Sequence, residues 1–264
     1  MVSKLSRHLP AWVRVLAFGG MLVCAAQPGL AQAPIKAVGL FSLLGDSIEV
    51  AVSTDAPTDT RIERTERLAL TAKGIGFDNI ALGRMSEALK TRQPQARLEL
   101  YRPTAPISSE EQRSIALGAE KAELPAWIVQ AIDAKKLSHI ILITRSRGDV
   151  NIRTADGNSI GRGTALGIGY YVDSLYTVRS MATGELSTGL LAPYVHVKLM
   201  LMDANSGDVV SRYDIREGRL IGDGRGHANS DPWTHLSAEQ KVSLLRKEFE
   251  TSLNRGAREL LKAQ

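Results

Sequence analysis

Residues 195–219 read VHVKLMLMDANSGDVVSRYDIREGR and contain two strand-like runs on either side of a polar turn. In the first run apolar residues alternate, which places one set on a single face of a strand: Val195, Val197, Leu199 and Leu201. The turn at 205–208 consists of Asn, Ser, Gly and Asp, which are residues that tight turns favour. The stretch therefore predicts an antiparallel hairpin whose second strand covers 209–216.

The chain upstream of this hairpin predicts a parallel unit. His139–Ile143 is a continuous apolar run, which indicates a strand that is buried on both faces. An amphipathic segment that opens at Pro125 precedes it and predicts a crossover helix. Two more helices are expected, over Phe77–Arg92 and, after a capping-box sequence, over Ser237–Lys262.

Two further strands are expected near the start of the chain, over Lys36–Leu44 and Ser47–Ser53. Because Gly45-Asp46 is a turn sequence, the simplest prediction is that they form a hairpin. The remaining expected elements are strands over 68–71, 97–101 and 165–179 and a helix over 108–122. Together they predict one α/β (α+β) domain over 34–264. It has a mixed sheet with antiparallel C-terminal strands, packed by helices that include a long C-terminal one.

Residues 1–31 have the order of a secretory signal peptide: a basic start, a short apolar run and small residues. We expect cleavage after Ala31, with Ala33 as the second possible site. The only cysteine of the chain, Cys24, lies in this leader, and Val23 before it argues against a lipid anchor. The leader predicts a periplasmic protein with no transmembrane segment in the mature chain and no disulfide.

The charge of the mature chain excludes one class of partner. Three of the 33 basic residues and none of the 28 acidic residues lie in the leader, which leaves a net charge of +2. A nucleic-acid-binding domain normally carries a stronger, clustered basic charge, so no nucleic acid is expected as a partner.

The quoted hairpin resembles the last sheet hairpin of bacterial envelope α/β proteins of the curli-secretion-lipoprotein type and of the amino-terminal domain of TolB. In those proteins a strand ends in Asp and a Gly-containing turn follows. Residues 38–50, VGLFSLLGDSIEV, also resemble the start of an uncharacterised family of exported proteobacterial proteins of unknown function. These resemblances imply an envelope setting and a non-catalytic α/β core, and they carry over no functional residues.

Gly45-Asp46-Ser47-Ile48 resembles the nucleophile block of the GDSL (SGNH) esterases, and Asp231 to His235 resembles their Asp-x-x-His block. The resemblance implies Ser47 as nucleophile, His235 as base and Asp231 as the orienting carboxylate. The Asp–His spacing is one residue too long, however, and the Gly-x-Asn-Asp block of the family is absent. Ser47 also continues into a strand-like run where the family turns into a helix.

A spacing of four residues relates a second set of polar side chains, namely Asp223, His227, Asp231 and His235. On a helix these side chains would share one face and could bind a metal ion. Gly222 directly before this stretch, and Gly224, Gly226 and Pro232 within it, favour a loop, so the metal site is the weaker alternative.

A cluster of arginines lies between two expected strands and could contact an anionic envelope component or a protein partner: Arg145, Arg147, Arg153 and Arg162. We therefore expect a non-catalytic envelope accessory or binding module, without a cofactor, whose partner is an envelope protein or an anionic envelope component. The alternative is a periplasmic GDSL-like esterase. We assign no oligomeric state from the sequence.

Overall fold

The computed structural model describes residues 35–53, 65–71, 75–104, 107, 111–112, 115, 124–154, 157–179, 184, 186–220 and 232–263. Ile35–Gln264 form one compact unit. The helices are α1 Phe77–Arg92, α2 Ala126–Lys135 and α3 Ala238–Leu260, with 3₁₀ turns at Pro232–His235 and Leu261–Ala263. The strands are β1 Ala37–Ser42, β2 Ser47–Ser53, β3 Thr65–Thr71, β4 Arg97–Tyr101, β5 His139–Arg145, β6 Arg147–Asp149, β7 Ile152–Arg153, β8 Ser159–Ile160, β9 Thr164–Leu166, β10 Ile168–Arg179, β11 Leu186–Asp203 and β12 Val209–Gly218.

Within the described residues, eight strands form one mixed sheet that is organised around the long strand β11. Strands β10 and β5 both pair antiparallel with β11, β10 along its first half and β5 along its second half. Strands β2 and β1 lie parallel to β10 and β5. The next strands outward are β3, antiparallel to β2, and β4, parallel to β1, while β12 pairs antiparallel with β11.

The predicted hairpin between β1 and β2 is wrong. All six residues of β1 are buried, and the strand takes parallel partners on both sides, β4 and β5. A hairpin would reverse the chain, whereas here β2 continues onward to lie beside β10. Gly45, with φ of 63°, lies in the short connection between the two strands. The turn sequence therefore lies in a connection that leads from one half of the sheet to the other, and it does not close a hairpin.

One face of the sheet is covered by α1 and α3, and it forms the largest apolar cluster. The expected capping box of α3 is present: the Ser237 hydroxyl accepts from the Gln240 amide at 3.2 Å, and the Gln240 side chain accepts from the Ser237 amide at 2.8 Å. The apolar stripe of this helix packs on the sheet through Leu245, Phe249, Leu253, Ala257 and Leu260. The C-terminal helix therefore docks on the sheet, as the sequence predicts.

Two separate segments pack on the opposite face of the sheet. Helix α2 packs over the half that contains β1 and β5. The other half, with Tyr171, Leu190 and Tyr194, is covered by residues 146–167, which we call the insert hairpin. This hairpin consists of β6 paired with β9 and β7 paired with β8, and it lies between β5 and β10 in the chain. The single strand expected over 165–179 is therefore two strands, which are separated at Gly167, with φ of 68°.

Two of the expected elements lie mainly outside the residues that the structure describes. Most of the helix predicted over 108–122 lies outside the described residues. The same is true of residues 221–231, which form most of the stretch where glycines and Pro232 favour a loop.

Candidate functional site

Ser47, the predicted nucleophile, is the first residue of β2 and is exposed. It pairs with Thr71 across the antiparallel β2–β3 ladder, and the strand continues for six residues after it. The nucleophile block of the GDSL esterases is followed by a helix, so the local structure at Ser47 departs from the family that the sequence resembles. We call residues 42–47, which connect β1 to β2, the strand junction.

Asp78, in the first turn of α1, binds the strand junction through its carboxylate. One carboxylate oxygen accepts the Ser42 hydroxyl at 2.6 Å and the Leu44 amide at 2.9 Å, and the other accepts the Gly45 amide at 3.1 Å. Charge-assisted hydrogen bonds of this kind are stronger than neutral ones. Asp78 is thus engaged in holding the end of β1 against α1.

Arg145, the last residue of β5, binds the same junction from the other side. Its guanidinium donates to the carbonyl oxygen of Leu44 at 2.5 Å and to that of Ser47. Burial lowers the pKa of Arg145, and the nearby side chains of Tyr194, Asp78 and Glu49 oppose that effect. The sequence groups Arg145 with arginines that could contact an anionic component or a protein partner. In the structure its guanidinium binds the junction carbonyls instead.

Only part of the predicted triad lies within the described residues. The His235 backbone lies in a 3₁₀ turn, but its side chain and all of Asp231 lie outside the described residues, as do Asp223 and His227 of the possible metal set. Both the triad and the metal site therefore stay predictions. Among the side chains that the structure describes, no group of three or more His, Cys, Asp or Glu could hold a metal ion.

His196 lies under the insert hairpin and is almost completely buried. Its Nδ1 is 3.2 Å from the carbonyl oxygen of Ala165, and its ring packs beside Tyr194 with centroids 5.2 Å apart. Burial lowers the pKa of His196 to about 4, so the ring is neutral at neutral pH. Its backbone joins the two halves of the sheet, since its amide donates to Gly167 and its carbonyl accepts from Ser146.

His139 has a related position at the start of β5. The ring is buried, its Nδ1 is 3.1 Å from the Ser138 hydroxyl, and burial lowers its pKa. The alternation of β5 and β11 predicts that both histidines face the interior of the sheet. Both rings are placed to pack and to make internal hydrogen bonds.

An exposed basic surface runs along the insert hairpin and the adjoining strand β12. We call it the basic face and define it by five exposed side chains: Arg147, Arg153, Arg162, Arg212 and Arg216. The two segments are in contact, because the Arg216 side chain packs over Gly148 and a bridge joins Arg153 to Arg219. The first three of these arginines belong to the cluster that the sequence predicts. The two on β12 come near them only because the two segments are in contact in the fold.

Two acidic side chains also lie on this surface, Asp149 and Asp214. Asp214 lies 3.8 Å from Arg216, a distance typical of a weak, solvent-exposed ion pair. Within the described part of the chain, the guanidinium groups of Arg147, Arg153 and Arg162 make no ion pair. The face therefore keeps an excess of positive charge that can attract an anionic group.

No family model matches this chain. No curated protein matches it either. Among solved structures, it is similar to the neuraminyllactose-binding hemagglutinin homolog from Helicobacter pylori, at 10% identity and a TM-score of 0.40, over 86% of this chain and 87% of that one. It is also similar to a DUF330 protein from Xanthomonas campestris, at 7% identity and a TM-score of 0.36, over 90% of each chain.

A third similar structure is a PelC dodecamer from Paraburkholderia phytofirmans, at 14% identity and a TM-score of 0.26, over 85% of this chain and 91% of that one. At these scores the likenesses carry no argument about function. The resemblance to the curli-secretion lipoproteins and to TolB stays a prediction. None of the helices in the described ranges has the length and apolar character needed to span a bilayer.

Proposed function

We propose that this chain is a non-catalytic module of the cell envelope, exported to the periplasm by its leader, which binds an anionic envelope component or a protein partner through the basic face. One observation carries the proposal. The polar groups at the strand junction, Asp78 and Arg145, are bonded to the protein's own backbone, whereas the exposed arginines of the insert hairpin are directed to solvent.

The backbone that carries the arginines of the insert hairpin is held in place by the fold. The insert hairpin is closed at its base by a hydrogen bond of 3.0 Å from the Gly167 amide to the Ser146 carbonyl. It also packs on a buried aromatic cluster that includes Tyr171 and Tyr194. Because this backbone is already ordered, the entropic cost of binding at the basic face falls mainly on the arginine side chains.

Vesicle flotation tests the proposal with an anionic probe. The chain is mixed with vesicles of a zwitterionic phospholipid, with or without an anionic phospholipid, at low ionic strength. We expect binding only to the anionic vesicles and its loss in the double variant Arg147→Glu, Arg153→Glu. A matched control, Lys247→Glu with Arg258→Glu, makes the same charge change on exposed positions of α3 and should bind as before.

Two results of flotation would count against a lipid partner. Equal binding of the two double variants would mean that overall charge, not the basic face, drives association. Absence of binding to either vesicle would leave an envelope protein or glycan as the partner, which crosslinking in cells can identify.

The esterase remains the alternative function, and it has its own test. Hydrolysis of short-chain esters that is lost in Ser47→Ala would establish it. Ser47 is exposed at the start of a strand, so this substitution leaves the core intact and its effect on turnover can be interpreted directly.

A further inference from the structure

Strand β4 lies at one end of the sheet, and no described strand pairs with its outer edge. Within the described residues it pairs only with β1. The Arg97 amide donates to the Lys36 carbonyl, so Arg97, Glu99 and Tyr101 direct their backbone groups to β1. By alternation, the backbone groups of Leu98 and Leu100 point away from the sheet, where another strand could pair with them.

This outer edge borders a groove that is lined by both apolar and polar side chains. Leu98 and Leu100 line it together with Ala96 and with Ser86 and Lys90 of α1, and its volume is about 430 Å³. Leu100 is 51% exposed, which is high for a leucine in a strand. An exposed apolar edge strand favours pairing with another strand, and natural proteins usually protect such edges.

The other face of the same strand carries two opposite charges. Arg97 and Glu99 are partly exposed, and their side chains lie 3.8 Å apart. If two copies of β4 pair antiparallel with Leu98 opposite Leu98, each Arg97 stands opposite a Glu99 of the other copy. Shifting the pairing so that Glu99 stands opposite Glu99 would place two carboxylates together, which is unfavourable.

We propose that β4 is a self-association edge, at which two copies of the chain pair antiparallel about a two-fold axis that passes beside Leu98. This register satisfies the outward backbone groups of Leu98 and forms two Arg97–Glu99 pairs. It also places Leu100 of each copy beside Ala96 of the other, at the groove. The occupant of the groove is therefore a second copy of this chain, selected by charge and by the shape of the edge.

Cysteine crosslinking tests the register. In a full chain that carries Cys24→Ser, the variant Leu98→Cys has one cysteine, beside the two-fold axis. The Cα atoms of a hydrogen-bonded antiparallel pair lie about 5.5 Å apart, which suits a disulfide. The matched control, Leu100→Cys, would place its two cysteines about 14 Å apart along the strand, too far for a disulfide.

We expect Leu98→Cys to form a covalent dimer under mild oxidation and Leu100→Cys to remain largely uncrosslinked. Equal crosslinking of the two variants, or none in Leu98→Cys, would overturn the proposal.

A charge swap tests the surface independently, with sedimentation equilibrium as the measurement. Glu99→Arg alone places like charges opposite each other twice and should weaken dimerisation about tenfold. Arg97→Glu together with Glu99→Arg restores opposite charges and should recover most of the affinity. A wild-type chain that is monomeric at 100 μM, or a dimer whose affinity neither variant changes, would overturn the proposal. Thermal melts establish that each variant is folded.

Discussion

The Ser42 hydroxyl lies 2.6 Å from the Asp78 carboxylate, and this contact joins the end of β1 to the first turn of α1. The same carboxylate accepts the amides of Leu44 and Gly45. The sequence that resembles an esterase nucleophile block is therefore held at its start by a structural anchor. The role of Asp78 leads to the first prediction.

Replacing Asp78 by Ala should lower the free energy of unfolding by about 2–4 kcal/mol, because three hydrogen bonds to a charged acceptor are lost in a partly buried site. Urea denaturation measures this change. The control is Asp133→Ala, an exposed position on α2, which should change stability by less than about 0.5 kcal/mol. Equal effects of the two substitutions would show that Asp78 is not an anchor.

Gly169→Ala should destabilise the chain by about 3 kcal/mol or more, or prevent folding. A Cβ atom at this position would lie 1.8 Å from the Glu49 carbonyl oxygen, where β10 pairs with β2. Backbone atoms of a central sheet pair cannot move aside cheaply. Thermal unfolding provides the measurement.

The matched control for Gly169 is Gly83→Ala, at an exposed site on α1 where a Cβ would meet nothing within 4 Å. That variant should gain about 0.5–1 kcal/mol, because alanine favours the helix and restricts the unfolded chain. We therefore expect Gly169→Ala to lower the free energy of unfolding and Gly83→Ala to raise it. A stable Gly169→Ala variant would contradict the β2–β10 pairing.

His196 should make stability depend on pH. Its pKa is lowered from 6.5 to about 4 in the folded chain, so the unfolded chain binds the proton first as the pH falls. The stabilisation is therefore complete above pH 6.5 and is lost between pH 6.5 and about 4, by up to roughly 3 kcal/mol. The charges of Asp149 and Arg216 shift the pKa of His196 in opposite directions, and burial is the largest cause of its lowering.

Urea denaturation between pH 4.5 and 7.5 measures the effect of His196. The variant His196→Gln should show a flatter dependence of unfolding free energy on pH than the wild type. A wild-type curve and a variant curve of the same slope would mean that the buried ring is not the group that titrates.

The leader can be tested by intact-mass spectrometry of the chain recovered from the periplasm. We expect a mature protein that begins at Gln32, because cleavage after Ala31 avoids placing Pro34 first. A periplasmic protein that retains Met1 and the leader residues would contradict the cleavage prediction.

Local sequence patterns predicted most elements, and pairing between distant segments explains the errors. The bounds of α1 agree with its apolar spacing and with Pro94 beyond its end. The turn predicted at 205–208 is present between β11 and β12. The Asp203 side chain stabilises it by accepting the amides of Asn205 and Ser206 at 2.8 and 2.9 Å. In both cases the determining contacts are only a few residues apart.

The strand junction and the basic face were not predictable in the same way. Gly45-Asp46 has the composition of a hairpin turn, yet β1 and β2 do not pair with each other, and each takes one parallel partner more than 90 residues away. Arg145 and Arg147 are neighbours in sequence, but one binds junction carbonyls and the other faces solvent. Periodicity indicates which residues share a face, whereas the partner of that face depends on the whole sheet.

The most direct test of the account is site-specific photo-crosslinking in intact cells, from positions 147 and 153 of the basic face and from control positions 247 and 258 on α3. We predict a crosslinked envelope partner from the first pair only, and its loss when the remaining arginines of the face are reversed in charge. Crosslinks of equal yield from all four positions, or from α3 alone, would contradict a binding function of the basic face.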